Sequence, residues 1–443
     1  MPSIAFHTLG CKLNFSETST LARQFLDAGW QKVAFSASAD VYLINTCSVT
    51  ENADKECRSI VNRAMQANPD GKVIVVGCYA QLKPDAIAEI PGVNLVLGAS
   101  QKFDALKYLQ QLDETNSNLV QACEIDSVTD FIPAHSSGDR TRVFMKVQDG
   151  CDYSCTFCTI PLARGRSRSD TIESVLRRAV EVKTSGAREI ILTGVNLGDF
   201  GIRDASGRHQ DKFVDLVKAL DNDTLLEGMR FRISSIEPNL LTHEIIEIVG
   251  KSERFMPHFH IPLQSGSDKL LRQMRRRYLS DLYRERIAMI HEFIPGAGIG
   301  ADVITGFPGE SDEDFLVTVN FLKDLDLTYL HAFTYSEREN TPAADFGNSV
   351  PLAVRKDRTR ILRSLSDKFH RKFCAENEGL QDVVLFEQEN KDGIMQGYTR
   401  NYIRVATPWN EQLVNAPVTV KLGRLQPEGW MSAEVVEPAA VYA

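Results

Sequence analysis

Long apolar runs are missing from this sequence: nowhere in its 443 residues do apolar side chains continue for the roughly 18 positions that a membrane span requires. The first residues, Met-Pro-Ser-Ile-Ala-Phe-His, lack the basic stretch and apolar core of a secretory leader, so a reduced, cytoplasmic setting without membrane attachment is expected. A basic surplus is missing too. Fifty Lys+Arg stand against 59 Asp+Glu, a net charge of -9, which taken alone argues against a nucleic-acid partner. Cysteine is scarce and odd in number, nine in all, which excludes a disulfide scaffold and leaves metal binding or catalysis for those that cluster. What is present, 43% hydrophobic and 25% charged residues, excludes a disordered or fibrous chain and suffices for two or three domains.

The first block, 1–125, repeats one pattern three times: an apolar β-type run, a Cys, then a polar segment able to open a helix. The runs end at Cys11, Cys47 and Cys78. Apolar on both faces and alternating with helical stretches, they predict a parallel sheet covered by helices, in which ligands collect beyond the carboxyl ends of the strands. Three strand ends carrying Cys on one sheet edge point to a shared metal centre; the alternative is three small buried hydrophobes. Periodicity is lost over 126–138, which reads as a linker. From 139 to 378 six strand candidates alternate with amphipathic helices, too few for a full eight-unit barrel, so a partial (β/α)6 barrel is expected. From 379 to 443 five short strands broken by Gly, Pro and Asn predict a small antiparallel β-barrel. The expected fold class is thus multidomain α/β.

The strongest chemical signal is Cys151-Asp-Tyr-Ser-Cys155-Thr-Phe-Cys158, directly after the first barrel strand. Structural zinc wants four closed ligands, and no fourth partner lies at knuckle spacing. A four-iron cube held by three thiolates keeps one iron open for a chelating substrate.

At the mouth of a partial barrel this triplet resembles the radical S-adenosylmethionine (SAM) superfamily, whose cleavage of SAM yields a 5′-deoxyadenosyl radical. The resemblance implies that Phe157 packs on the adenine of SAM, that Thr193, Gly194 and Asn196 meet its amino group, and that Gln264 bonds its ribose. It also implies that Glu237 joins the SAM contacts and that Ile304 and Gly306 line the adenine. His260 reads as a satisfied core histidine. Together the three blocks resemble the radical SAM methylthiotransferase family, with a C-terminal TRAM-like barrel. In that family Cys11, Cys47 and Cys78 would hold an auxiliary [4Fe-4S] cluster beside the SAM-binding [4Fe-4S] cluster of Cys151, Cys155 and Cys158. One SAM would methylate sulfur on the auxiliary cluster and a second would generate the radical. Cys57, Cys123 and Cys374 fall outside both sets.

Thr8-Leu9-Gly10-Cys11-Lys12-Leu13-Asn14 and Asn45-Thr46-Cys47-Ser48-Val49-Thr50 resemble the branch acting on N6-threonylcarbamoyladenosine beside the tRNA anticodon. The isopentenyladenosine branch, usually Gly-Cys-Gln-Met-Asn, and the branch modifying an aspartate of a small-subunit ribosomal protein are the alternatives. A non-enzymatic, metal-stabilised RNA-binding protein is a further one. The implied partners are an anticodon stem-loop carrying threonylcarbamoyladenosine and an electron donor such as flavodoxin or ferredoxin, acting on a monomer.

Acidity does not exclude tRNA, because charge is segregated. Residues 269–286 carry seven Lys/Arg against two acids and residues 355–372 eight against two. These runs are expected to grip phosphates, with Tyr398, Tyr402 and Trp409 as stacking candidates on the C-terminal barrel.

Overall fold

Strands that are apolar on both faces must be covered on both faces, and the first block does this with one sheet between two helical layers. In the computed structural model, six parallel strands run in the order β2-β1-β3-β4-β5-β6: β1 (Ser3–Thr8), β2 (Gln31–Val33), β3 (Val41–Thr46), β4 (Lys72–Gly77), β5 (Val93–Leu97) and β6 (Leu119–Gln121). Separate apolar clusters lie on its two faces, one around Tyr42, Ile44, Val73 and Val75, the other around Ile4, Leu43, Ile74 and Val76. The structure describes all residues except 49–50, 116–117, 137–140, 205 and 439–443. Val49 and Thr50 of the second Cys motif, and 137–138 of the expected linker, therefore lie outside the described residues.

The stretch 126–138 enters the next sheet: β7 (Ala134–His135) pairs antiparallel with β8 (Arg142–Lys146). A two-residue strand is too short to show a period of two in the sequence. A short antiparallel pair follows at the barrel mouth, β9 (Gln148–Asp149) with β10 (Arg168–Ser169). The barrel strands β8, β11 (Glu189–Thr193), β12 (Arg230–Ile233), β13 (His258–His260), β14 (Gly298–Thr305) and β15 (Tyr329–Thr334) stand in chain order. Neighbours pair in parallel, and bridges at Ser235–His260 and Phe231–Phe255 join β12 to the β13 segment. No pairing closes β15 onto β8 among the described residues, so six β/α units form an open barrel.

After the helix Leu352–Asn377, five strands close a small barrel: β16 (Gln381–Phe386), β17 (Ile394–Tyr398), β18 (Arg404–Pro408), β19 (Pro417–Leu425) and β20 (Met431–Pro438). It is not wholly antiparallel, since β18 pairs with β20 in parallel. Its Tyr402 stacks on His258 of the central barrel at 4.2 Å and on Tyr398 at 4.8 Å. The Arg232 and Arg142 guanidiniums lie over Tyr402 and Tyr398. These two rings are committed to the domain interface, and Trp409 packs against the small barrel's core. The expectation that Tyr398 and Tyr402 offer free stacking faces is corrected accordingly.

Candidate active site

Each of the three dispersed cysteines stands where its strand ends. Cys11 begins the helix Lys12–Asp27, Cys47 follows β3, and Cys78 opens the short helix Cys78–Leu82 after β4. Because β1, β3 and β4 are adjacent and parallel, all three lie on one sheet edge. Gly10 makes the approach possible. It has φ +99°, and a Cβ there would stand 2.6 Å from the Cys47 Cβ and 2.9 Å from its Sγ. Cys78 is buried, which raises its thiol; Arg164 works against that shift and Cys11 adds to it, so both lie in electrostatic range.

The triplet Cys151, Cys155 and Cys158 lines a second cavity of about 540 Å³ together with Tyr153 and Pro342. Burial pushes the Cys151 and Cys158 thiols up to about 12. Cys155 is also raised by burial, while Arg276, whose Nη1 lies 3.0 Å from its Sγ, opposes the shift. Iron would have to displace these protons, as thiolate ligation always does. None of the six thiols is in a disulfide. Three free thiols converging on one cavity are a donor set suited to a cube with an open corner rather than to closed tetrahedral zinc.

A buried ionic junction joins the elements that carry the two cysteine sets. Glu17, fully buried on the helix after Cys11, lies 2.7 Å from Lys102, 3.1 Å from Lys146 and 3.0 Å from Arg164. Asp149 accepts from Lys146, Arg164 and Arg168 at 3.1, 2.9 and 3.2 Å. Burial alone would raise Glu17, but Arg164, Lys102 and Lys146 outweigh it and hold the carboxyl well below the usual range. Arg164 closes the short helix that starts two residues after Cys158, and its Nη2 donates to Asn14 Oδ1 at 2.7 Å. Asn14 in turn donates to the carbonyls of Leu9 and Thr46, which flank Cys11 and Cys47. Nothing local in the sequence marks Glu17, because its partners Lys102, Lys146 and Arg164 lie 85, 129 and 147 residues away.

A cavity of about 240 Å³ joins Phe157, Cys158, Gln264 and Ile304 with Asp302 and Arg338. Phe157 and Ile304 sit on an apolar cluster with Phe307 and Tyr335. Thr193 Oγ1 and both amide atoms of Asn196 are buried without partners, as groups awaiting a polar ligand would be. Gly194 packs on Gln148, so a Cβ would meet its Oε1 at 2.8 Å. Glu237 is paired with Arg276, which therefore links it to Cys155. Gly306 has a different local reason: its φ is +74°, a Cβ would strike Arg355 at 2.2 Å, and its N–H donates to Glu310. His260 is buried with both ring nitrogens placed, Nδ1 2.7 Å from Ser235 Oγ and Nε2 3.0 Å from Asp302 Oδ1.

The basic runs are less free than their charges suggest. Arg276 pairs with Glu237, Lys269 with Asp314, Arg355 with Glu337, and Arg358 with Glu310 and Asp312. Lys356, Arg360, Arg363, Lys368 and Arg371 of the long helix remain exposed.

Two family models match separate parts of the chain. The uncharacterized protein family UPF0004 matches residues 3–98, and the radical SAM superfamily matches 145–322. The threonylcarbamoyladenosine tRNA methylthiotransferase MtaB of Bacillus subtilis is 39% identical over 95% of this chain and 94% of that protein. Its namesake from Aquifex aeolicus is 36% identical over 91% and 96%. The tRNA-2-methylthio-N(6)-dimethylallyladenosine synthase of Endomicrobium trichonymphae is 30% identical over 94% and 96%. Among solved structures, the radical SAM methyltransferase TsrM from Kitasatospora setae superposes with a TM-score of 0.55 at 14% identity, covering 89% of this chain and 81% of that one, a likeness of fold alone. With full-length relatives above 30% identity spanning both cysteine sets, the chain belongs to the radical SAM methylthiotransferase family.

Proposed function

We propose that the protein inserts a methylthio group at carbon 2 of N6-threonylcarbamoyladenosine beside the anticodon of tRNA. The observation that carries this reading is the pair of three-cysteine sets, none in a disulfide, joined through the Glu17–Arg164 ion pair in a chain 39% identical to a protein named for that reaction. When bound, two [4Fe-4S] clusters and SAM supply the electron, the radical and the sulfur for this chemistry. Cys151, Cys155 and Cys158 would hold one cluster and Cys11, Cys47 and Cys78 the other.

The chain's own residues bind, orient and exclude water. Phe157 and Ile304 offer apolar cover for an adenine, Gln264 lies within the same cavity, and the unpaired Thr193 and Asn196 offer polar atoms to an amino acid moiety. Arg276 donates toward Cys155 and so stabilises the thiolate form that a ligand must adopt. The Glu17–Arg164–Asp149 junction fixes the separation of the two sets, which a group passed between them requires. An electron donor such as flavodoxin or ferredoxin would serve a cytoplasmic, monomeric enzyme; among the described residues no helix is long and apolar enough to cross a membrane. The exposed cations of the helix Leu352–Asn377 would contact tRNA phosphates.

Nucleoside mass spectrometry of tRNA from a deletion strain tests substrate and reaction together. Loss of the methylthio form of threonylcarbamoyladenosine is expected; an unchanged profile overturns the reading. Anaerobic metal analysis should find about eight irons per chain, and zinc without iron would leave only a metal-stabilised RNA-binding protein.

A further inference from the structure

The barrel lumen holds a group that neither the thiols nor the expected SAM contacts use. His260 on β13, Asp302 on β14 and His331 on β15 converge there, with Asp302 Oδ1 3.0 Å from His260 Nε2 and 3.2 Å from His331 Nδ1. The other ring nitrogen of His260 pairs with Ser235 Oγ at 2.7 Å. Burial by itself would raise the Asp302 carboxyl; the two imidazoles overcome that and keep it ionised. Asp302 also lines the cavity that contains Cys158 and Gln264, so the group faces the space beside the triplet. His331 is 54% exposed although it sits mid-strand, its ring 5.1 Å from that of His260 and 5.2 Å from that of Tyr329.

Lys12, on the other domain, lies within electrostatic range of this group. It is the residue after Cys11, and its electrostatic neighbours are Tyr402, Arg142, Arg232 and Asp302. Arg142 and Arg232 are matched by Glu387 and Glu189. Lys12 makes no hydrogen bond or ion pair among the described residues. Lys12 is partly buried, and a partly buried ammonium without a counter-ion costs free energy that a ligand anion would offset. A divalent cation on the His–Asp–His group would lie close to Lys12 and two arginines, and their charge opposes it.

The two adenosine arms for which the relatives are named differ in the chemistry that matters here. A dimethylallyl arm is apolar and would leave Lys12 without an anion. A threonylcarbamoyl arm carries a carboxylate together with N–H and O–H donors. We propose that Lys12, Asp302 and His331 form the receptor for the threonylcarbamoyl arm, Lys12 pairing with its carboxylate and Asp302 accepting from its donors. The proposal rests on the substrate reading above and assigns specificity to these residues.

The test uses the full-length, two-cluster enzyme and anticodon stem-loop RNAs carrying either threonylcarbamoyladenosine or its carboxyl methyl ester, with KM and kcat read by mass spectrometry of the product. Esterification should raise the wild-type KM about 10- to 100-fold, the range for a charge-assisted contact. In Lys12→Gln the acid should already show that raised KM, and the ester should add nothing further. Lys12→Arg, which keeps the charge beside Cys11, should retain the preference for the acid, and iron content measured on each variant separates a lost cluster from a lost ion pair. The comparison on wild-type enzyme needs no variant: equal KM values for acid and ester overturn the proposal. So does an equal penalty for the ester in wild type and Lys12→Gln. Failure of the wild-type enzyme to modify either RNA would instead overturn the substrate reading.

Discussion

The two cysteine sets achieve convergence in opposite ways. Cys151, Cys155 and Cys158 lie within eight residues on one loop, so the chain brings them together whatever the rest of the fold does. Cys11, Cys47 and Cys78 are separated by more than 30 residues each and meet only because β1, β3 and β4 are adjacent in one parallel sheet. A local site needs only its loop. A dispersed site is a property of the whole domain, and any change in sheet packing reaches it. Glu17 and Arg164 add a third requirement, that the two domains dock in one orientation.

The sharpest way to break the comparison is to delete one thiol from each set. Cys155→Ala should abolish both SAM cleavage and methylthiolation. Cys47→Ala should abolish methylthiolation alone, leaving about half the iron and leaving 5′-deoxyadenosine formation in place. If SAM cleavage also vanished in a folded Cys47→Ala protein, the proposed division of labour would be wrong.

The junction comes next in size. Glu17→Gln leaves Lys102, Lys146 and Arg164 facing one carboxylate fewer in a buried site, and breaking such a network typically costs about 3–5 kcal/mol. Chemical denaturation should show that loss in the wild-type background at neutral pH. Glu17 and Asp149 both titrate below the usual carboxylate range in the folded protein. The stability they contribute is therefore complete above about pH 4.3 and is lost as the pH falls through their folded values. Glu17→Gln should show a shallower acid limb than wild type, and identical limbs would remove Glu17 from the network.

How much of this was legible follows the same division between local and dispersed. The triplet, the six β/α units and the five short strands are patterns of neighbours, and periodicity or spacing carries them. The edge shared by Cys11, Cys47 and Cys78 was also legible, since parallel strands place their carboxyl ends together. The ionic junction was not, because Glu17 reads like any helix-surface acid until Lys102 and Arg164 arrive from far along the chain. Arg276 and Arg355 misled for the converse reason: a run of basic residues looks solvated, yet Glu237 and Glu337 neutralise these two in the structure. Tyr402 looked like an exposed stacking platform because the sequence does not reveal that the central barrel covers it with His258.

A smaller change probes the dispersed set through backbone alone. Gly10→Ala places a methyl 2.6 Å from the Cys47 Cβ at a φ of +99°, a conformation that costs an L-residue about 1–2 kcal/mol before the clash is counted. Iron on the auxiliary set should fall while iron on the triplet holds, so the ratio of methylthiolation to SAM cleavage drops. A proportional fall in both would mean that Gly10 acts on stability rather than on the approach of Cys47 to Cys11.

The smallest expected effect belongs to the local set and is the most specific. Thr193 ends β11 with its hydroxyl buried and unpartnered, so no contact within the protein is lost when that hydroxyl is removed. Thr193→Val keeps the β-branched shape, and thermal stability should change by less than about 0.5 kcal/mol, as for a substitution that breaks no internal contact. A neutral hydrogen bond contributes about 0.5–1.5 kcal/mol, so KM for SAM should rise roughly two- to tenfold if the hydroxyl meets the amino acid end of SAM. The two readouts together are decisive, because a structural role for Thr193 lowers stability and leaves KM alone. A role in holding SAM raises KM and leaves the melting transition where it was.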